Sequence, residues 1–346
     1  MGSALGRPLR LNFYLLENHM KKLVLASIIG GLLLNTTVAS AQAKMEKVTA
    51  SWLPIMQTMA YYVALEEKLF EKAGIEINSV KFQNPNQIID SLVSGQADFG
   101  PPGAAAGITA LAESRYPGSF KVFGLQGGGI KVGMINDGLI VSNASTITSF
   151  KDLKGKSIGT VPGIQWKTIT RYIIRQNGLD PDKDVQINEI AVPMQIPSVV
   201  AGSVDATLSL EPVGSIAIAS KEAKRAMTNP VATFIADPFY SGVSVLSTKF
   251  MKERPAVAKK VVEVLDQATK MTNENFDKYR PIIAKYTAIQ ATQVQYVAQP
   301  YLRANKDLNA TDINSYQALV NVFEKEGVLK TPVDVKTLML KPSDFK

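Results

Sequence analysis

Ser91-Leu92-Val93-Ser94-Gly95-Gln96-Ala97-Asp98 is echoed further along the chain by Ser198-Val199-Val200-Ala201-Gly202-Ser203-Val204-Asp205. Each stretch reads as the last turn of a helix, a glycine stop and the start of a short buried strand. A glycine just past the last apolar turn takes up the left-handed conformation that closes a helix, which a Cβ resists. The segments leading in also correspond. Glu71-Lys72-Ala73-Gly74-Ile75 and Arg175-Gln176-Asn177-Gly178-Leu179 each end a helix on glycine ahead of a strand. Two copies of a strand–helix–strand–helix–strand unit predict two similar α/β lobes, each a Rossmann-like sheet flanked by helices, with a cleft between them. Helix–glycine–strand punctuation also recurs in α/β proteins without duplication, so other features have to separate the two.

The N-terminus predicts export. Met20-Lys21-Lys22 is followed by the uncharged stretch Leu23 to Leu34, then by Ala39-Ser40-Ala41 and Ala41-Gln42-Ala43. A basic head, an apolar core of ~7–15 residues and small residues two apart make a secretory signal peptide. The core falls short of the ~20 residues a helix needs to span a bilayer. Cleavage is expected after Ala41 or Ala43, with residues 1–19 an extension ahead of a better start at Met20. The mature protein is expected to be soluble, periplasmic and monomeric.

Composition narrows the chemistry. The 346 residues include no cysteine and one histidine, His19, which lies in the leader. The mature chain therefore has no Ser-His-Asp or Cys-His nucleophile, no zinc ligation by His or Cys and no disulfide. No cofactor is expected. The formal charge of +8 is a mild excess, part of it in the leader, and no dense basic stripe marks a nucleic-acid binder. Lys249, Lys252, Arg254, Lys259 and Lys260 read as one face of a solvated helix.

A pass along the chain predicts strands at 47–52, 75–82, 97–99, 120–125, 139–142, 157–161, 185–190, 206–210 and 244–247. Helices are expected from Tyr61 to Leu69, from Pro85 with Ile88, Leu92 and Val93 inward, over 104–113, 164–177, 194–201 and 213–225, and over 312–326. Ser149 is placed to cap a short turn through Leu153. The lobes are expected at 44–137 with 241–346, and at 138–240. Hinge crossings are placed near Gly127–Gly138 and Tyr240–Val243.

Several motifs dissolve on inspection. Gly155-Lys156-Ser157 imitates a phosphate loop, but Phe150 stands where the first glycine belongs and Lys156-Ser157 opens a strand. Asp180-Pro181-Asp182-Lys183-Asp184 begins like a calcium loop, yet Val185 and Ala191 occupy its glycine and glutamate positions. Catalysis by carboxylates alone stays open.

Ligands of open α/β sheets sit beyond the C-terminal strand ends, often against helix N-termini. The loops Leu53–Thr58, Gln83-Asn84, Gly100–Ala104, Pro162–Lys167 and Glu211-Pro212 qualify. Their candidate contacts are Trp52, Gln57, Asn84, Gly100, Pro101, Gly103, Ala104, Gly163, Gln165, Trp166 and Glu211. Trp52 and Trp166, the only tryptophans, offer stacking faces, and Gln57, Asn84 and Gln165 offer hydrogen bonds.

Around these residues the chain resembles a known family. The run Trp52 to Phe82 with Tyr62-Val63-Ala64-Leu65-Glu66-Glu67-Lys68-Leu69-Phe70-Glu71-Lys72-Ala73-Gly74-Ile75, the stretch Leu92–Asp98, and Phe150-Lys151-Asp152-Leu153-Lys154-Gly155-Lys156 carry it. Val161-Pro162-Gly163 and Ala201-Gly202-Ser203-Val204-Asp205-Ala206 with Glu211-Pro212 complete it. In this order they are similar to the nitrate/sulfonate/taurine and thiamine-precursor family of periplasmic solute-binding proteins. The resemblance implies a two-lobe periplasmic binding protein of type II that captures a small molecule and feeds ABC permease subunits in the membrane. It also implies a cleft built by the loop around Gln57, the Gly100–Ala104 and Gly163–Trp166 turns and Glu211. Sulfonate-binding members follow the glycine matching Gly163 with serine, whereas this chain has Ile164. With Glu211 present and no arginine in the cleft loops, a small inorganic anion fits less well than a sulfonate-like or aromatic organic acid. The rival reading is an enzyme of the same fold working through carboxylates.

Overall fold

The computed structural model describes residues 44–345. The expected signal peptide and the cleavage sites expected for it lie outside the described residues. In chain order the first strands are β1 (Glu46–Trp52), β2 (Ile75–Lys81), β3 (Phe99–Ala105), β4 (Phe120–Gly128), β5 (Asp137–Ser142) and β6 (Lys156–Thr160). They continue with β7 (Val185–Glu189), β8 (Ala206–Leu210), β9 (Ala223–Thr228), β10 (Phe239–Ser247) and β11 (Tyr301–Ala304). The principal helices are α1 (Met59–Glu66), α2 (Pro85–Val93), α3 (Ala106–Arg115), α4 (Ile164–Gln176), α5 (Gln195–Val200), α6 (Val213–Ala219), α7 (Pro255–Glu274) and α8 (Ala310–Lys325).

The strands form two sheets, ordered β11-β4-β10-β3-β1-β2 and β7-β6-β8-β5-β9. Edge strand β11 aside, the two orders are one pattern. Each half places its second strand beside its first, then its third, then an antiparallel strand reached by crossing from the other half, then its fourth. The inserted strands are β10, between β3 and β4, and β5, between β8 and β9. The duplication legible in the sequence is thus a duplication of topology.

The repeated octapeptides do the same local work twice. Gly95 and Gly202 close their helices at φ +75° and +70°, and Gly74 and Gly178 do so at +78° and +79°. The aspartate ending each copy then fastens the start of its sheet. Asp98 donates its N–H to the Thr49 carbonyl, and its Oδ2 accepts from Thr49 N at 2.8 Å. Asp205 donates to the Ser157 carbonyl, and its Oδ2 accepts from Ser157 N at 2.8 Å. Val93 departs from expectation: α2 buries Ile88, Ile89 and Leu92, and Val93 is 41% exposed.

Four segments differ from the sequence reading. Gly100–Ala104 is not a loop but the body of β3, wholly buried and paired with β10 (Ala104 opposite Val243, Gly100 opposite Val245). Pro101 and Pro102 lack ladder donors, and the pairing accommodates them with a register shift between Val243 and Val245. Residues 213–225 form helix only to Ala219; Lys221 turns left-handed at φ +60° and Arg225 lies on β9. β11 lacks a pattern of its own and exists because β4 offers an edge. Tyr240–Val243, expected as a crossing, lie inside β10; the chain passes between sheets at 129–136 and 229–238.

Candidate functional site

The C-terminal ends of the two sheets meet at one side chain. Gln165, in the first turn of α4 just beyond β6, is 3% exposed. Its Oε1 accepts from Gly107 N in the first turn of α3 at 2.7 Å, and its Nε2 donates to the Ser241 carbonyl in β10 at 2.9 Å. Beside it, Gly103 N donates to Gln126 Oε1 at 3.0 Å and Gln126 Nε2 donates to Ser244 Oγ at 3.0 Å. Gly103 has φ +104°, and a Cβ there would meet Thr58 Oγ1 at 2.7 Å. Only glycine lets the turn Met56–Thr58 lie against β3 in this way. That turn carries the buried Gln57, whose side chain finds no hydrogen-bond partner among the described residues.

A second polar cluster stands where the chain crosses between sheets. Asn136 N donates to Asn229 Oδ1 (2.8 Å), Asn229 N to the Asp137 carbonyl (2.9 Å) and Asn229 Nδ2 to the Met134 carbonyl (3.1 Å). The two connections are therefore laced to each other. Asp137 is fully buried and accepts from Asn136 Nδ2 (2.9 Å) and Val231 N (3.0 Å). Glu211, also buried, pairs with Arg225 Nη2 at 2.6 Å and accepts from Ser215 N at 3.2 Å. The sequence reading notes Glu211 and the lack of an arginine in the cleft loops; the arginine that meets it comes from β9. The Glu211 charge is matched by Arg225, hidden from sequence reasoning because 213–225 reads as one helix.

Burial pushes the Asp137 carboxyl up to about 6, against the pull of its hydrogen bonds from Asn136 and Val231. Between pH ~4 and ~6 the folded state thus holds a proton that the unfolded chain releases. This group's contribution is greatest below its unfolded pKa and is lost as pH rises through about 6. We expect Asp137→Asn to flatten the slope of melting temperature against pH between about 4 and 6. An unchanged slope would locate the titration elsewhere.

The other candidates occupy varied settings. Trp52 is 7% exposed, donates Nε1–H to Ser79 Oγ at 2.8 Å, and has the rings of Tyr62, Tyr61 and Tyr286 at 5.5, 6.0 and 6.2 Å. Trp166 is buried on α4, its carbonyl accepting from Thr170 Oγ1 at 2.8 Å, and its indole N–H has no partner among the described residues. Asn84 is exposed and engaged in a capping box for α2, accepting from Asn86 N at 2.9 Å. Gly163 stands before α4 at φ +105°, and its N–H donates to Glu189 Oε2 at 3.0 Å. Glu189 also pairs with Lys167 at 3.3 Å, and these contacts, the Gly163 N–H foremost, hold its carboxyl below the usual range. Gly100, Pro101 and Ala104 are buried strand residues. The structure thus brings Gln57, Gly103 and Gln165 to one edge, adding Gln126, Gly107 and Ser241. Gln126 has a readable signal, a polar residue inside an apolar strand; Gly107 and Ser241 contribute backbone alone and leave none.

Two α/β halves of identical strand order, connected twice and meeting at the C-terminal ends of their sheets, define the periplasmic-binding-protein fold. The chain belongs to the NMT1-like family, whose model matches residues 41–288. A Bacillus subtilis (strain 168) protein provisionally named an aliphatic sulfonates-binding protein is 24% identical over 273 residues, covering 79% of each chain. The periplasmic aliphatic sulphonate binding protein SsuA of Escherichia coli superposes with a TM-score of 0.69 at 17% identity, over 86% of this chain and 92% of its own. The alkanesulfonate-binding protein SsuA of Xanthomonas axonopodis pv. citri, bound to MOPS, gives 0.68 at 17% identity, over 86% and 99%. The desulfurization enzyme DSZB shares the fold as well, at a TM-score of 0.64 and 15% identity over 86% and 97%. Among the described residues no helix is long and apolar enough to cross a membrane.

Proposed function

We propose that this protein is an exported solute-binding protein that captures a small organic sulfonate or aromatic acid between its halves and delivers it to ABC permease subunits. The observation that carries this reading is the polar edge around Gln165, where groups from both sheets interlock. Family membership and the sulfonate-binding relatives support it. The halves would be 44–128 with 239–345, and 137–228, moving about the laced connections at 129–136 and 229–238. Gln57, Gly103, Gln165 and Trp166 would line the solute. The Gln57 amide and the Trp166 indole N–H would meet its polar groups.

An enzyme reading finds little to work with. The chain has no cysteine. Its buried neighbouring carboxylates, Asp137 and Glu211, are each engaged by structural partners, Asn136 and Val231 for one and Arg225 for the other.

A solute that binds only the folded protein adds roughly 2.7 kcal/mol at a hundredfold excess over Kd. For a chain of this size that is a melting shift of roughly several degrees. A thermal-shift screen of sulfonates, amino-pyrimidines and aromatic carboxylates should give one chemically coherent set of hits. Small-angle scattering should show a smaller radius of gyration with the best hit, and mass spectrometry should recover it unaltered. Turnover to a new product would favour the enzyme instead.

A further inference from the structure

The loop Leu53–Thr58, which carries Gln57, is shaped more by side chains than by its own backbone. Pro54 has no N–H to give. Ile55 N donates to the Leu53 carbonyl at 2.9 Å, and Thr58 N donates to the Ile55 carbonyl at 3.2 Å. Thr58 Oγ1 adds a second donor to the Leu53 carbonyl at 2.9 Å. Tyr62 Oη, from the first turn of α1, lies 3.1 Å from the Leu53 carbonyl and 3.1 Å from the Ile55 carbonyl. A phenol has one proton, so the equal distances describe a single donor shared between both carbonyls. Burial pushes this phenol well above its ordinary pKa, and it stays a donor at any working pH.

What keeps the Tyr62 ring in place lies far along the chain. Tyr286 stacks on it at 4.5 Å with the planes 4° apart, and the Tyr286 hydroxyl donates to Glu66 Oε1 at 2.5 Å. Lys285 Nζ donates to the same carboxylate oxygen at 2.6 Å. Glu66 follows Tyr62 one turn later on α1, so ring and carboxylate stand on one helix face. Cutting back Trp52 leaves the stack and both carbonyl contacts in place. On its other side the loop rests on β3, where Gly103 leaves room for Thr58 and Ile55.

We propose that Tyr62 is a positioning residue for solute binding: its hydroxyl, with the ring braced by Tyr286, holds the Leu53–Thr58 loop in the shape that presents Gln57 to the solute. This rests on the placement of Gln57 in the solute site proposed above. A loop ordered in advance need not be ordered by the solute, so more of the contact energy appears as affinity. Losing the hydroxyl strands neither carbonyl, because Leu53 keeps Ile55 N and Thr58 Oγ1, and Ile55 keeps Thr58 N. The loss therefore falls on the order of the loop rather than on the fold.

The test compares wild type with Tyr62→Phe, which keeps the stacked ring and removes only the hydroxyl. In ligand-free protein, amide exchange over residues 55–58 should speed up while the melting temperature stays close to wild type. The Kd for a sulfonate hit from the screen should weaken about fivefold, the scale of one net hydrogen bond. Saturating amounts of that hit should slow the exchange again. Tyr286→Ala, at a part-exposed position, should act in the same direction by withdrawing the brace, and it decides the matter should Tyr62→Phe fail to fold. Unchanged loop exchange, or faster exchange with unchanged affinity, would overturn the proposal. Gln57→Leu tells this failure from failure of the site: it should weaken Kd and leave loop exchange slow. If Gln57→Leu binds as wild type does, the placement of Gln57 fails, and the positioning role falls with it whatever Tyr62→Phe shows.

Discussion

Glu211→Ala should lower the unfolding free energy by about 3–5 kcal/mol, the scale for removing one partner of a buried ion pair. The Glu211 side chain is 0% exposed and that of Arg225 10%. Without the carboxylate, the guanidinium keeps only Ser215 Oγ at 3.2 Å, and its Nη1 is already buried with no partner. It would be a charge taken out of water with almost nothing to replace the water. Arg225→Met alone should be similarly harmful, because it strands the carboxylate. The double variant Glu211→Leu with Arg225→Met should recover most of the loss, since replacing both charges by apolar groups removes the desolvation cost as well as the attraction. Urea denaturation of the three variants checks this. Additive losses in the double variant would mean that the residues act independently.

Trp52→Ala should cost about 3–5 kcal/mol, as large-to-small truncations of buried aromatics do, and should leave solute affinity near that of wild type. The indole is surrounded by Tyr61, Tyr62 and Tyr286, and its N–H shares Ser79 Oγ with the Tyr61 hydroxyl, both at 2.8 Å. Tyr62 in turn stacks on Tyr286 at 4.5 Å, nearly parallel, which joins α1 to the C-terminal helical region. Emptying the centre of this cluster removes contacts that several elements share. Chemical denaturation and calorimetry with a thermal-shift hit separate the two effects. Normal stability with lost affinity would turn the ring toward the solute.

Elements legible from the sequence were those whose cause is local. The helix stops at Gly74, Gly95, Gly178, Gly202 and Gly327 all have positive φ, because the conformation that ends each helix excludes a side chain at that very residue. The Ser149 turn and the Pro85 start follow from capping and from the missing proline N–H. Strand β8 spans the alternation Ala206-Thr207-Leu208-Ser209-Leu210, between Asp205 and Glu211. The spacing of two such punctuated units was enough to imply two like halves.

What only the tertiary structure decided are pairings between distant segments. β3 extends through Pro101-Pro102 because β10, far along the chain, arrives beside it with a slipped register. Arg225 leaves the expected helix for β9 because β5 offers an edge, and there it meets Glu211. Gln165 becomes a bridge between the sheets because Gly107 N of α3 and the Ser241 carbonyl of β10 come together at the place where α4 begins. None of these partners is near its mate in sequence, and backbone groups carry no residue signature. Local propensity determines where an element can start and stop; which unpaired group it completes depends on the other elements being in place.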